Sequence, residues 1–225
     1  MRYDAFVAHT VLRFLLAVLG AGSAVAGVVA DFEPTLDRRL IDAAVAIGSS
    51  RVEAVRTRYH QPYRIQVARP PIDYIDIVTP FRRIALLAEE RARAGGRLFG
   101  QREAIAALED RSDVVEVLIE MTFHPLNVFI GVPAYDVELA SASSVTRINP
   151  LQISRIPRFG ARVDGGPLSS PGASTLPGSS QPLLGGTIVA GFGANALNPN
   201  GVYDVVVSEK GKALARARVN VGSLR

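Results

Sequence analysis

The chain has 225 residues, 48% of them hydrophobic and 20% charged, with a formal charge of +4, a globular composition long enough to bury a core. It holds no cysteine and no tryptophan, which excludes disulfides, thiolate metal sites, cysteine nucleophiles and a lipoprotein anchor. The small basic excess is spread along the chain, without a basic run interleaved with aromatics, so no nucleic-acid partner is expected.

Residues 1–30 read as an export signal. Arg2 and Arg13 flank a short n-region, Phe14 to Ala30 is apolar or small, and Ala24-Val25-Ala26 and Val28-Val29-Ala30 both place small residues where a signal peptidase reads. Asp4 is the one poor fit. The alternative is an anchor formed by residues 14–30, against which stand its shortness and Gly20, Gly22, Ser23 and Gly27. The expected location is therefore secreted or periplasmic, with membrane contact only through a retained leader.

Residues 31–60 form an N-terminal helical segment. Leu36, Leu40, Ile41, Ala44 and Ile47 recur at helical spacing between Pro34 and Gly48. Residues 51–59 are ambiguous, with Val52, Val55 and Tyr59 favouring a helix. From residue 61 to 225 the pattern is that of one β-sandwich domain. Tyr63, Ile65 and Val67 alternate with polar residues, and Pro70-Pro71 interrupts. Ile72 to Val78 is apolar on both parities apart from Asp73 and Asp76, as in a strand covered on both faces.

Residues 80–110 read as a helical insert. Thr79 is a good N-cap, Pro80 suits the first helical position and Gly95-Gly96 ends the run. Ile84, Leu87, Ala88 and Arg91 fall on one face, and Ile105 and Leu108 point inward from a second short helix. Val115, Val117, Ile119, Met121 and Phe123 then give the longest clean alternation. Val128-Phe129-Ile130 is a further apolar run, Tyr135 to Leu139 alternates, and Leu151 and Ile153 mark a strand bounded by Pro150 and Pro157. Residues 165–186 are uncharged and rich in Gly, Pro and Ser, a long loop. Residues 187–225 are too few to fold alone, so they complete a sheet begun before that loop.

The last hairpin begins Leu197-Asn198-Pro199-Asn200-Gly201-Val202-Tyr203. Tyr203, Val205 and Val207 share a face, Glu209-Lys210-Gly211-Lys212 turns the chain, and Ala213 to Val221 alternates. The stretch Leu197 to Val221 resembles the tyrosine corner of fibronectin type III and other immunoglobulin-like sandwiches. The resemblance implies a Tyr203 ring in the core and a hydroxyl bonded to upstream backbone. Those families usually carry Thr or Ser where Gly201 stands. The fold class expected is mainly β, a sandwich of immunoglobulin-like type, with a helical insert and an N-terminal amphipathic helix, α+β overall.

The search for chemistry yields no catalytic, cofactor or metal residues. Beyond the leader only His60 and His124 remain, too few for a three-histidine zinc site. His124 with Glu120 and Asp136 is the best metal or acid/base candidate, against a solvated strand face. Asp73 and Asp76 lie on opposite strand faces, and Glu89-Glu90 reads as a solvated helix face. Gly191-Phe192-Gly193-Ala194-Asn195-Ala196 matches a dinucleotide fingerprint, but Asn198-Pro199 stops any following helix, so no nucleotide is expected. The expected function is an exported, non-catalytic envelope module that binds or supports another envelope or extracellular protein. The alternatives are a carboxylate-based hydrolase and a secretory chaperone or assembly factor acting by strand pairing.

Overall fold

The computed structural model describes residues 32–95, 99–108, 111–124, 126–160 and 182–225. The predicted leader (1–30) and residues 165–181 of the predicted loop (165–186) lie outside them. The fold is mixed α+β and mostly strand, with two antiparallel sheets and four helices among the described residues. None of these helices is long and apolar enough to cross a membrane.

Helix α1 (Arg38–Gly48) starts where the Asp37 carboxylate accepts from the Leu40 N–H at 2.8 Å, satisfying a donor the helix leaves unpaired. It buries Ile41, Ala44 and Gly48. Helix α2 (Glu53–His60) buries no residue fully, and Val52 and Val55 are about half exposed. The helix expected there is present, but of its apolar stripe only Tyr59 packs against the core, beside Tyr63 and Phe81. A short 3₁₀ turn (Gln61–Tyr63) leads into β1 (Arg64–Arg69), which pairs with β2 (Ile72–Val78) across a cis Pro70–Pro71 bond.

Thr79 caps helix α3 (Pro80–Arg93), its hydroxyl accepting from the Arg82 N–H at 3.1 Å. Helix α4 (Gln101–Leu108) comes next. A second, smaller core joins α1, α3 and α4 through Ile41, Ala44, Phe81, Ile84, Ala104 and Leu108. Ala104, not Ile105, points inward; Ile105 is exposed, as is Arg91. Small alanines fit between helices that pack this closely, and the larger isoleucine falls one position outside the stripe.

The remaining strands are β3 (Val114–Thr122), β4 (Asp136–Ser141), β5 (Arg147–Ile148), β6 (Gln152–Phe159), β7 (Leu183–Gly193), β8 (Val202–Glu209) and β9 (Lys212–Asn220). One sheet runs β1-β2-β3-β7-β6 and the other β5-β4-β8-β9. The main core draws Ile77, Val117, Ile119 and Phe192 from the first sheet and Leu139, Val205, Ala217 and Val219 from the second. The clean alternation of β3 supplies Val115, Val117, Ile119 and Met121 to this core.

Three boundaries differ from the sequence pattern. Residues 183–186, predicted as loop, are the start of β7, paired with both β3 and β6. Gly185 and Gly186 are there because neighbouring backbone leaves no room. A Cβ on Gly185 would stand 2.1 Å from the Met121 carbonyl oxygen, and one on Gly186 would stand 2.8 Å from that of Ile156. Pro157 lies inside β6, tolerated because that strand is the edge of its sheet. The apolar run Val128-Phe129-Ile130 forms no strand and lies in the β3–β4 loop.

Candidate functional site

The structure separates the sequence candidate His124–Glu120–Asp136. Glu120 near the end of β3 is taken up by Arg158, and its other oxygen accepts from the Thr187 hydroxyl at 2.6 Å. His124 lies past the end of the strand, exposed, where its Nδ1 accepts from the Leu126 N–H at 3.2 Å. Asp136 opens β4 in the other sheet. Among the described residues no group of three His, Asp or Glu side chains is placed to hold a metal ion. The Gly191–Ala196 motif is the end of β7 followed by a three-residue 3₁₀ turn, not a helix.

A polar network that the sequence pattern did not single out runs instead from β2 to α3. Arg82 is 2% exposed and grips Asp76 with both ends of its fork, Nη1 to Oδ1 at 2.5 Å and Nη2 to Oδ2 at 3.2 Å. It also donates to the Ile77 carbonyl, and its guanidinium stacks 4.7 Å from the Tyr63 ring centre. Its Nε–H donates to Nδ1 of His60 at 3.4 Å. That leaves the proton of a neutral imidazole on Nε2, which faces Glu89 Oε2 at 3.0 Å. Glu89 is buried and also holds Arg56 at 3.0 Å and Arg93 at 2.7 Å. Glu89 is therefore no solvated helix face, while Glu90 beside it is exposed.

Burial lowers the His60 pKa from its ordinary value, and the nearby Arg82 charge adds to the effect, with Glu89 opposing. Burial likewise pushes the phenols of Tyr59 and Tyr63 up, so both stay protonated. Tyr63 Oη accepts from the Arg225 N–H at 2.9 Å and lies 3.2 Å from Tyr59 Oη. The network borders a cleft of about 600 Å³ between α2, β1 and α3. Asp76 had a legible signal, since a charge inside a strand buried on both sides needs a partner. Arg82 and Glu89 stand seven residues apart on α3, flanking the buried Ala85, a polar pair on an apolar helix face.

A second feature lies at the β3–β4 loop. Leu126, Val128 and Ile130 are 84%, 91% and 99% exposed. The loop that carries them is nonetheless tied down. The Asn127 amide donates to the carbonyls of His124 at 2.7 Å and Leu183 at 3.0 Å, and the Phe129 ring packs 4.9 Å from Phe123. Ile156, Phe159 and Leu184, on β6 and β7, are also substantially exposed.

Comparison with protein-family models, with curated proteins and with solved structures finds no match.

Proposed function

We propose that the protein is an exported, non-catalytic binding module of the cell envelope, built as an immunoglobulin-like sandwich, with another envelope or extracellular protein as its partner. The strand order supports the sandwich reading. The run β2-β3-β7-β6 fits the A-B-E-D sheet of such domains, and β5-β4-β8-β9 fits C′-C-F-G. On that lettering β1 is an added edge strand and α3 and α4 stand between A and B. Tyr203 falls near the start of strand F, where the corner tyrosine belongs.

The observation that carries the binding role is the exposure of Leu126, Val128 and Ile130 on a loop fixed by Asn127 and Phe129. In the same lettering this is the B–C loop, at an end of the sandwich where such domains present binding loops. Contiguous apolar side chains held out to solvent mark contact surfaces. Catalysis has less support, because His60 is engaged at both nitrogens. Asp76, Glu89, Glu116, Glu120 and Asp204 are each paired with arginine. Strand addition at β6 has less support too. Pro157 removes a donor from that edge, and Arg155 crosses it to the carbonyls of Pro133 and Tyr135.

The test compares the wild-type chain with a Val128→Asp, Ile130→Glu variant as bait in envelope fractions. A discrete protein partner held by the wild type and lost from the folded variant is expected. Equal retention by both, or no partner for either, overturns the reading. N-terminal sequencing of the native protein tests export; a chain still starting at Met1 counts against it.

A further inference from the structure

We propose that the cleft between α2, β1 and α3 binds a soluble hydroxylated anion, a sugar acid or sugar phosphate. This site is separate from the apolar loop and does not depend on it. Arg56, Arg64, Arg82 and Arg93 all line the cleft. Two buried carboxylates serve them: Asp76 takes Arg82 and Arg64, and Glu89 takes Arg56 and Arg93. Among the described residues lining the cleft, the carboxylates are Glu89 and Glu53, and Glu53 is exposed to solvent. One well-placed cation balances the charge of a buried carboxylate. Here each has a second, and the outer one of each pair faces water, with the Arg64 and Arg93 side chains 48% and 73% exposed.

The outer arginines have capacity to spare. A guanidinium carries five N–H donors in a planar fork suited to carboxylate and phosphate. Arg64 commits Nη2 to Asp76, and Arg93 commits Nη2 to Glu89. The excess positive charge sits in a concave wall, which focuses its field on the space inside. The volume, about 600 Å³, suits a small molecule. Thr57, Gln61 and Gln66 add a hydroxyl and amides to the same wall, and among the described residues Leu86 is its sole aliphatic side chain. Such a lining favours a hydroxylated carrier for the acidic group and disfavours an apolar one.

The experiment is calorimetric titration of the full chain at low ionic strength with glucose 6-phosphate, glucuronate, inorganic phosphate and glucose. Glucose 6-phosphate or glucuronate should bind, the tighter of the two identifying phosphate or carboxylate, while glucose should not. Arg64→Gln and Arg93→Gln should each weaken binding about tenfold, the loss expected for a hydrogen bond to a charged group, while both variants stay folded with only a small shift of the unfolding midpoint. Any of these results overturns the proposal: neither sugar anion binding at ~10 mM, a ceiling weaker than ordinary small-ligand affinities; glucose binding equally well; inorganic phosphate matching the sugar phosphate; or both variants binding like the wild type. Sedimentation with phosphatidylglycerol vesicles but no binding of the soluble anions also overturns it. None of these results bears on the apolar loop, whose test reads retention of a protein partner.

Discussion

The backbone N–H of Asn198 donates to the hydroxyl oxygen of Tyr203 at 2.8 Å, closing the turn that precedes β8. The ring is buried, and Gly201 lies against it: a Cβ there would stand 2.7 Å from Tyr203 Cε2. The close contact explains why glycine stands at this position. Tyr203→Phe should cost on the order of 1 kcal/mol, the usual worth of a buried hydrogen bond. Gly201→Ala should cost about 1–3 kcal/mol through overpacking. Urea unfolding of both variants checks this, and midpoints equal to the wild type would remove the corner as a source of stability.

The hairpin around Tyr203 was legible because turn chemistry and two-residue alternation are local signals. So were the Thr79-Pro80 helix start and the inward residues of β3. The start of β7 was not. Gly185-Gly186 looks like a turn in isolation, and only the approach of Met121 and Ile156 from other strands gives it a different reason. The Arg82 network was hidden for a related cause. Asp76, Arg82, His60 and Glu89 come from β2, α2 and α3, and no spacing rule joins elements that meet only in the fold. The exposure of the Val128-Phe129-Ile130 run was not legible either, since hydrophobicity alone says nothing of which side a loop presents.

At Gly48 the backbone of α1 lies directly against α3. A Cβ at that position would stand 2.1 Å from the Ala85 carbonyl oxygen and 2.8 Å from the Ala88 Cβ. Backbone cannot yield as a flexible side-chain tip does, so the helices must separate. Gly48→Ala should therefore destabilise by about 1–3 kcal/mol despite alanine's better helix propensity. Thermal unfolding of the variant reads this directly. A rise in the midpoint would mean that the helix pair has slack there.

Arg82 and Arg64 share Asp76 but differ in burial, with side chains 2% and 48% exposed. Arg82→Met strips a buried carboxylate of its bidentate partner and His60 of its donor. Such a loss costs about 3–5 kcal/mol. Arg64→Met removes a partly solvated contact and should cost at most about 1 kcal/mol. Denaturant unfolding of the two variants should separate them clearly. Equal costs would show that Asp76 depends on its solvent-side partner as much as on the buried one.

His60 gives stability a pH dependence whose sign is set by its surroundings. Its folded pKa is lowered below the ordinary 6.5, first by burial and then by the Arg82 charge. Protonation would also take away the Nδ1 lone pair that accepts from Arg82. Between the lowered folded value and 6.5 the unfolded chain therefore binds more protons than the folded one, and stability rises with pH there. The contribution is complete above 6.5, declines as the solution is acidified below it, and levels off beneath the folded value. His60→Gln keeps a polar side chain in the cleft but cannot titrate, so it should flatten this part of the profile. The check is a series of urea midpoints across that window for the wild type and the variant. Parallel profiles would show that the imidazole is not held neutral by its neighbours.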